Sequence, residues 1–198
     1  MMAADAGAAI LETNNDGPKI PDVKKTKFDV IIIGAGPAGY TAGIYCSRAG
    51  YDTLILSGIL PGGQLVNTTE VENYPGFENG IMGPYLMIDM RKQSQRMGTT
   101  IIDDVAMDVD FRRAPYKVLT GSEEYEGKAV IIATGANPRK MGISGEEEFS
   151  GKGVSYCATC DGPFFRNLEL IVVGGGDSAI EEATFLTKFA TRVHVVHR

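Results

Sequence analysis

Residues 28–39 read FDVIIIGAGPAG, and this stretch decides the fold. Phe28 to Ile33 is an almost unbroken β-branched run, as in a strand buried on both faces. Gly34, Gly36 and Gly39 follow at G-x-G-x-x-G spacing, with Ala35, Pro37 and Ala38 between them. Ala38 to Ala49 reads as a helix that Gly50 ends, and Thr53 to Leu56 reads as a second strand. In such a βαβ unit the first glycine permits the tight turn and the second lets the backbone approach a pyrophosphate. The third lets helix and strand pack closely. N–H groups at the helix N-terminus then hold the pyrophosphate. One feature departs from the pattern: where an acid should end the second strand and hold a ribose, the chain has Leu56-Ser57-Gly58.

The pattern returns in the second half. Leu168 to Val173 is an apolar strand, and Gly174, Gly175, Gly176, Asp177, Ser178 and Ala179 follow as G-x-G-x-x-A. Ser178 to Phe189 reads as a helix and Arg192 to His197 as the next strand. Two such units imply two dinucleotides, a flavin and a nicotinamide being the usual partnership. His197 and Arg198 stand where the ribose-binding residue belongs. A basic pair there suits a 2′-phosphate and points to NADP rather than NAD, with a basic turn cap as the alternative. The expected fold is α/β, with two Rossmann-like dinucleotide-binding domains. One βαβ unit supplies too few strands for the second domain, so the chain reads as a fragment of a longer protein.

Between the fingerprints lies LPGGQLVNTTEVENYPGF, too rich in turn residues for a regular element. Gly83 to Gly98 reads as a helix with Tyr85, Leu86, Met87 and Met90 in the core. Short strands are expected at Val105–Phe111, Tyr116–Leu119 and Glu124–Tyr125. A buried strand follows at Ala129–Ala133 and ends in Thr134-Gly135. Cys46 reads as a small buried hydrophobe, His194 as a packed strand residue, and Glu181 and Glu182 as helix-solvating acids. The net charge of −6 argues against nucleic acid as a partner, and Lys24-Lys25-Thr26-Lys27 is a solvated lead-in rather than a patch. No 18-residue apolar stretch is present to span a membrane. Residues 1–26 read as a polar tail and a poor secretory signal, so a cytoplasmic chain is expected.

Two of the three cysteines, Cys157 and Cys160, sit in SYCATCDGPFF. Zinc needs four ligands, and the only histidines, His194 and His197, are closely spaced on a strand, so no metal is expected. A purely structural disulfide would close a very small loop and remove little chain entropy. A redox pair fits best, because C-x-x-C turns commonly depress one thiol's pKa and generate the attacking thiolate. Asp161 is placed to shuttle the proton, or alternatively to cap the turn that Gly162-Pro163 fixes.

With GAGPAGYTAGIY, GGQL, TEVENYPG, ATGA, CATCDG and GGGDSA followed by HR, residues 28–198 resemble the low-molecular-weight thioredoxin reductases. That family also lacks an acid at the second strand. The resemblance implies a homodimer in which NADPH reduces FAD, FAD reduces the Cys157–Cys160 disulfide, and the dithiol reduces thioredoxin. Cys160 would face the flavin, Cys157 would attack thioredoxin, and Asp161 would be the acid/base. FAD would be lined by Gly34, Ala35, Gly36, Pro37, Ala38, Gly39, Ser57, Gly62, Gly63, Gln64, Leu65, Asn73, Ala106, Ala133, Thr134 and Gly135. NADPH would be lined by Gly174, Gly175, Gly176, Asp177, Ser178, Ala179, His197 and Arg198. A tail (1–26) would precede the N-terminal part of an FAD domain (27–137). An inserted, truncated NADPH domain with the C-x-x-C (138–198) would follow, and the two would rotate so that the cysteines alternately face flavin and partner. The family's later flavin-ribityl segment and the arginine expected after Arg198 are not in this sequence. Two other readings remain: a related oxidoreductase with a peroxiredoxin-type or small dithiol acceptor, and an inactive dinucleotide-binding fragment.

Overall fold

A computed structural model describes residues 25–198, so the tail assigned to residues 1–26 lies almost wholly outside the described residues. In chain order the elements are β1 (Lys27–Ile33), α1 (Pro37–Arg48), β2 (Thr53–Leu56), a 3-10 turn (Gly63–Asn67), β3 (Glu70–Val71), β4 (Ile81–Met82) and α2 (Gly83–Arg96). Then come β5 (Thr100–Ile102), β6 (Asp108–Asp110), β7 (Tyr116–Leu119), β8 (Glu124–Ile132), α3 (Ala158–Asp161) and a second 3-10 turn (Gly162–Phe165). β9 (Glu169–Val173), α4 (Asp177–Leu186) and β10 (Arg192–Val196) complete the chain. No helix among the described residues is long and apolar enough to cross a membrane.

The chain divides into two compact units. Among the described residues, the first holds those up to Gly63 and Ile88–Thr134; the second holds Gln64–Met87 and Gly135–Arg198. The turn-rich stretch after Gly63 groups with the later residues.

The first unit is a six-stranded sheet in the order β5-β2-β1-β8-β7-β6. β5, β2, β1 and the C-terminal part of β8 run parallel, and β6, β7 and the start of β8 form an antiparallel meander. Parallel strands are covered on both faces and so read as continuous apolar runs. Ile31, Ile32, Leu54, Ile55 and Leu56 are accordingly fully buried. On one face α1 lies close, since a Cβ added at Gly43 would come 2.8 Å from the Ile55 side chain. On the other, Ile31, Leu54 and Leu56 pack with Phe28, Val118 and Tyr125. The Phe28 and Tyr125 rings meet at 6.3 Å in a tilted pair. Lys25 is already tied in, pairing with Asp52 at 2.6 Å and lying over the Phe28 ring.

The second unit contains the parallel pair β9–β10, in register from Glu169–Arg192 to Val173–Val196, with α4 between the two strands in sequence. It also contains the short β3–β4 hairpin, α3 and its 3-10 continuation. α3 packs on α4: a Cβ at Gly162 would stand 3.0 Å from Leu186 and 3.5 Å from Phe189.

Several sequence expectations are corrected. The strands expected at Glu124–Tyr125 and Ala129–Ala133 are one nine-residue β8, because pairing continues through Gly127. Tyr85 is 64% exposed, although Leu86, Met87 and Met90 are buried as expected. Cys46 is only half-buried, and His194 is an exposed residue that pairs with Glu169 at 3.2 Å rather than packing inward.

Candidate active site: two glycine turns and a disulfide

The first glycine turn joins β1 to α1. Gly34 has φ +109°, and its N–H donates to the Leu56 carbonyl at 2.8 Å. A Cβ there would lie 2.3 Å from the Ala133 carbonyl oxygen, and one at Gly39 would lie 2.0 Å from that of Gly34. A Cβ at Gly36 would meet nothing within 4 Å. Two glycines are therefore fixed by packing, and the middle one opens onto free space where a diphosphate can close on the backbone. Gly36 caps α1, Pro37 and Ala38 begin it, and its first turn carries no acid, so the helix dipole stays available to an anion. The turn is braced at its rim: Gly62 N–H donates to Ala35 at 2.8 Å, and Ala133 N–H donates to Ile33 at 2.8 Å. Gly63 stands against Gly36, Thr134 follows Ala133, and Ala106 packs onto the apolar cluster below.

The missing acid at the end of β2 has a neighbour in its place. Ser57 is buried, and its N–H donates to Ile102 at the end of β5, the adjacent strand. Asp103 directly follows β5 and is gripped by Arg91 through two hydrogen bonds of 2.8 and 2.9 Å. The Arg91 guanidinium, and behind it the Ser57 hydroxyl, hold the Asp103 carboxyl below the usual carboxylate range. Sequence reading missed this acid because strand adjacency, not sequence spacing, brings it to Ser57.

In the second unit, Gln64 Nε2 donates to Asn137 Oδ1 at 2.7 Å and to Ala136 O at 3.3 Å, bracing the segment that carries Gly135. Leu65 lies in the 3-10 turn, and Asn73 is exposed on the Glu72–Glu78 loop that rims a shallow cavity. The second glycine turn differs from the first in what crowds it. A Cβ at Gly174 would press on Ala179 Cβ at 2.9 Å, and one at Gly175 on the His197 ring at 2.5 Å. Gly176 is open, like Gly36. Asp177 and Ser178 open α4, while His197 lies against the turn and Arg198 follows it. The turn thus leaves the backbone open at Gly176, where a dinucleotide phosphate could be held, with the His197 ring beside it.

Cys157 and Cys160 form a disulfide across the first turn of α3, with Cα atoms 5.3 Å apart. Cys157 is half-buried and Cys160 exposed. Asp161 is half-buried and receives the Ser155 hydroxyl, and the Cys157 N–H donates to Ser155 Oγ at 3.0 Å. On the preceding side, Tyr156 OH donates to Glu146 at 2.8 Å. Glu146 is only 3% exposed and also takes the N–H groups of Met141 and Gly142. Those hydrogen bonds, the one from Met141 foremost, hold its carboxyl below the usual range. Neither Ser155 nor Glu146 was singled out from sequence. The first had a signal, a serine two residues before Cys157, the spacing of a hydroxyl-capped turn. Among the described residues no cluster of acids, histidines and cysteines could hold a metal ion.

Two glycine turns that could each hold a dinucleotide phosphate, with a disulfide between them in sequence, agree with a family match. Residues 28–198 match the pyridine nucleotide-disulphide oxidoreductase family. The chain belongs to that family. Membership implies chemistry with a pyridine nucleotide and a flavin. Among curated relatives, the chain is 57% identical over 173 residues to a thioredoxin reductase of Listeria monocytogenes, covering 86% of this chain and 53% of the relative. It is 53% identical over 173 residues to one of Bacillus subtilis, covering 86% and 54%. The chain therefore spans about half the length of the curated relatives it matches. Among solved structures, the thioredoxin reductase of Streptococcus pyogenes matches with a TM-score of 0.80 at 46% identity, covering 87% of this chain and 56% of that one. That of Giardia duodenalis matches with a TM-score of 0.82 at 43% identity, covering 86% and 56%.

Proposed function

We propose that this pyridine nucleotide-disulphide oxidoreductase chain supplies the N-terminal share of a cytoplasmic, homodimeric thioredoxin reductase that uses FAD and NADPH. The observation that carries the reading is the Cys157–Cys160 disulfide on α3, set between two glycine turns in one chain. FAD is assigned to Gly34–Gly39 with Ser57, Gly62, Gly63, Gln64, Leu65, Asn73, Ala106 and Ala133–Gly135. NADPH is assigned to Gly174–Ala179, with His197 and Arg198 taking the 2′-phosphate. The chemistry that the bound cofactors supply is an electron pair delivered to the disulfide.

In this scheme Cys160 faces that source of electrons and Cys157 serves the partner. The Cys157 thiolate attacks one sulfur of the thioredoxin disulfide, forming a mixed disulfide and expelling the other sulfur as a thiolate, which takes a proton. The Cys160 thiolate then attacks Cys157 Sγ. The Cys157–Cys160 disulfide re-forms and thioredoxin leaves as a dithiol, with Asp161 moving the protons.

The test is a visible spectrum of the full-length, FAD-loaded protein before and after anaerobic NADPH, followed by thioredoxin addition. Bleaching by NADPH and recovery on adding oxidised thioredoxin are expected. Cys160→Ser should trap thioredoxin on Cys157 as a mixed disulfide, and Cys157→Ser should not. A protein that retains no flavin, or whose NADPH-reduced form is not reoxidised by thioredoxin, refutes the proposal.

A further inference from the structure

Two hydroxyls stand beside the disulfide: Thr159 Oγ1 lies 3.4 Å from Cys157 Sγ, and Ser155 links Asp161 to the Cys157 backbone. Ser155 Oγ lies 2.5 Å from Asp161 Oδ2, 3.3 Å from the Cys157 carbonyl oxygen and 3.0 Å from the Cys157 nitrogen. The Cys157 N–H donates to Oγ, and the single hydroxyl proton goes to the Asp161 carboxylate, because the Cys157 carbonyl already accepts the N–H groups of Cys160 and Asp161. When Asp161 is ionised, the hydroxyl donates to its carboxylate. When Asp161 is protonated, the carboxyl donates to Oγ, and the hydroxyl proton of the exposed Ser155 turns to solvent. The acid therefore keeps a hydrogen-bond partner at one place on both sides of a proton transfer. Among the described residues no other side chain hydrogen-bonds Asp161.

We propose that Ser155 is a positioning residue for the dithiol chemistry, holding Asp161 at the Cys157–Cys160 turn in both of its protonation states. This rests on the reading of Asp161 as the acid/base of the pair. Its effect shows in any reduction of the disulfide, including one that needs no cofactor. A dithiothreitol thiolate attacks one cysteine sulfur, the S–S bond breaks, and its electron pair goes to the other sulfur, which takes a proton from Asp161. Asp161, now ionised, takes the proton of the reagent's second thiol, whose thiolate attacks the mixed disulfide and expels the remaining cysteine sulfur, which takes that proton from Asp161. Cyclic oxidised dithiothreitol and the protein dithiol result.

The experiment measures the rate of that reduction at fixed pH in the 198-residue chain. Wild type is compared with Ser155→Ala, Ser155→Thr, Asp161→Asn and the Ser155→Ala/Asp161→Asn double variant. Ser155→Ala should slow reduction about fivefold, the factor that ~1 kcal/mol of hydrogen bonding makes in a rate. Ser155→Thr, which keeps the hydroxyl, should restore it. In the Asp161→Asn background, Ser155→Ala should add nothing, because Ser155 acts through Asp161. A wild-type rate in Ser155→Ala overturns the proposal, as does an equal slowing in both backgrounds, which marks a purely structural loss. Asp161→Asn reducing at the wild-type rate overturns the acid/base reading itself, a result distinct from either.

Discussion

Replacing Gly36 and Gly39 by alanine, one at a time, should separate folding from binding. They are three residues apart in one motif, yet their surroundings differ. The added carbon at position 39 would stand 2.0 Å from the Gly34 carbonyl oxygen and 2.9 Å from its carbon, both backbone atoms of a turn that cannot rotate aside. Relief requires α1 to lift from β1 by about 1 Å, an overpacking cost of roughly 3 kcal/mol. Alanine's better helix propensity returns about 1 kcal/mol, leaving Gly39→Ala destabilised by ~2 kcal/mol. At position 36 the added carbon meets nothing, and the backbone there (φ −80°, ψ −172°) is one any residue adopts. A poorer helix cap and a less flexible unfolded chain nearly cancel, so Gly36→Ala should fall within ~0.5 kcal/mol of wild type. Urea unfolding followed by far-ultraviolet circular dichroism would show the contrast as a midpoint gap of about 1 M for a slope near 2 kcal/mol per M. Flavin retention should fail the other way: Gly36→Ala keeps the fold and loses FAD, because its methyl stands where the pyrophosphate closes on the backbone. Equal destabilisation by both variants would refute the division of labour among the glycines.

Three further outcomes are expected. Ser94→Ala should stabilise the chain by about 1 kcal/mol, because Ser94 Oγ is fully buried with no hydrogen-bond partner; a lower thermal midpoint would contradict this. The Glu146 carboxyl titrates below its ordinary value of 4.5 in the folded chain, so its hold on Met141 and Gly142 is complete above that pH. That hold is lost as pH falls through the lower folded value, so the exchange protection of those two amides should drop in acid, and constant protection down to pH about 2 would be inconsistent with the anchor. Gly175→Ala should displace the His197 ring, which its Cβ would approach to 2.5 Å, and weaken NADPH binding more than NADH binding with little change in stability. Equal loss for both nucleotides would detach His197 from the 2′-phosphate.

What the sequence made legible were features with a local signature. The apolar runs of β1 and β2, buried on two faces, and the glycine spacings located the βαβ units within a few residues; β9 reads as apolar too, although Ile171 and Val173 are exposed. The disulfide was likewise visible as a spacing of three. Contacts made across the sheet were not legible. Asp103 meets Ser57 only because β5 lies beside β2, and Glu146 reaches Tyr156 through a loop with no periodicity. Very short strands such as β3 and β4 were lost among turn residues for the same reason.

β8 belongs to two kinds of pairing at once. Its start forms a tight antiparallel hairpin with β7, closed by Leu119 and Glu124, while its remainder lies parallel to β1. The hairpin joins near neighbours, whereas the partners on β1 are about a hundred residues away, so loop entropy favours the hairpin forming first. A chain emerging from the ribosome would then present β1 and α1 long before the strand that closes over them exists. The first glycine turn, whose rim includes Ala133, is complete only after β8 has been made. A cofactor taken up at that turn would be captured only after the longest-range pairing in the sheet has formed.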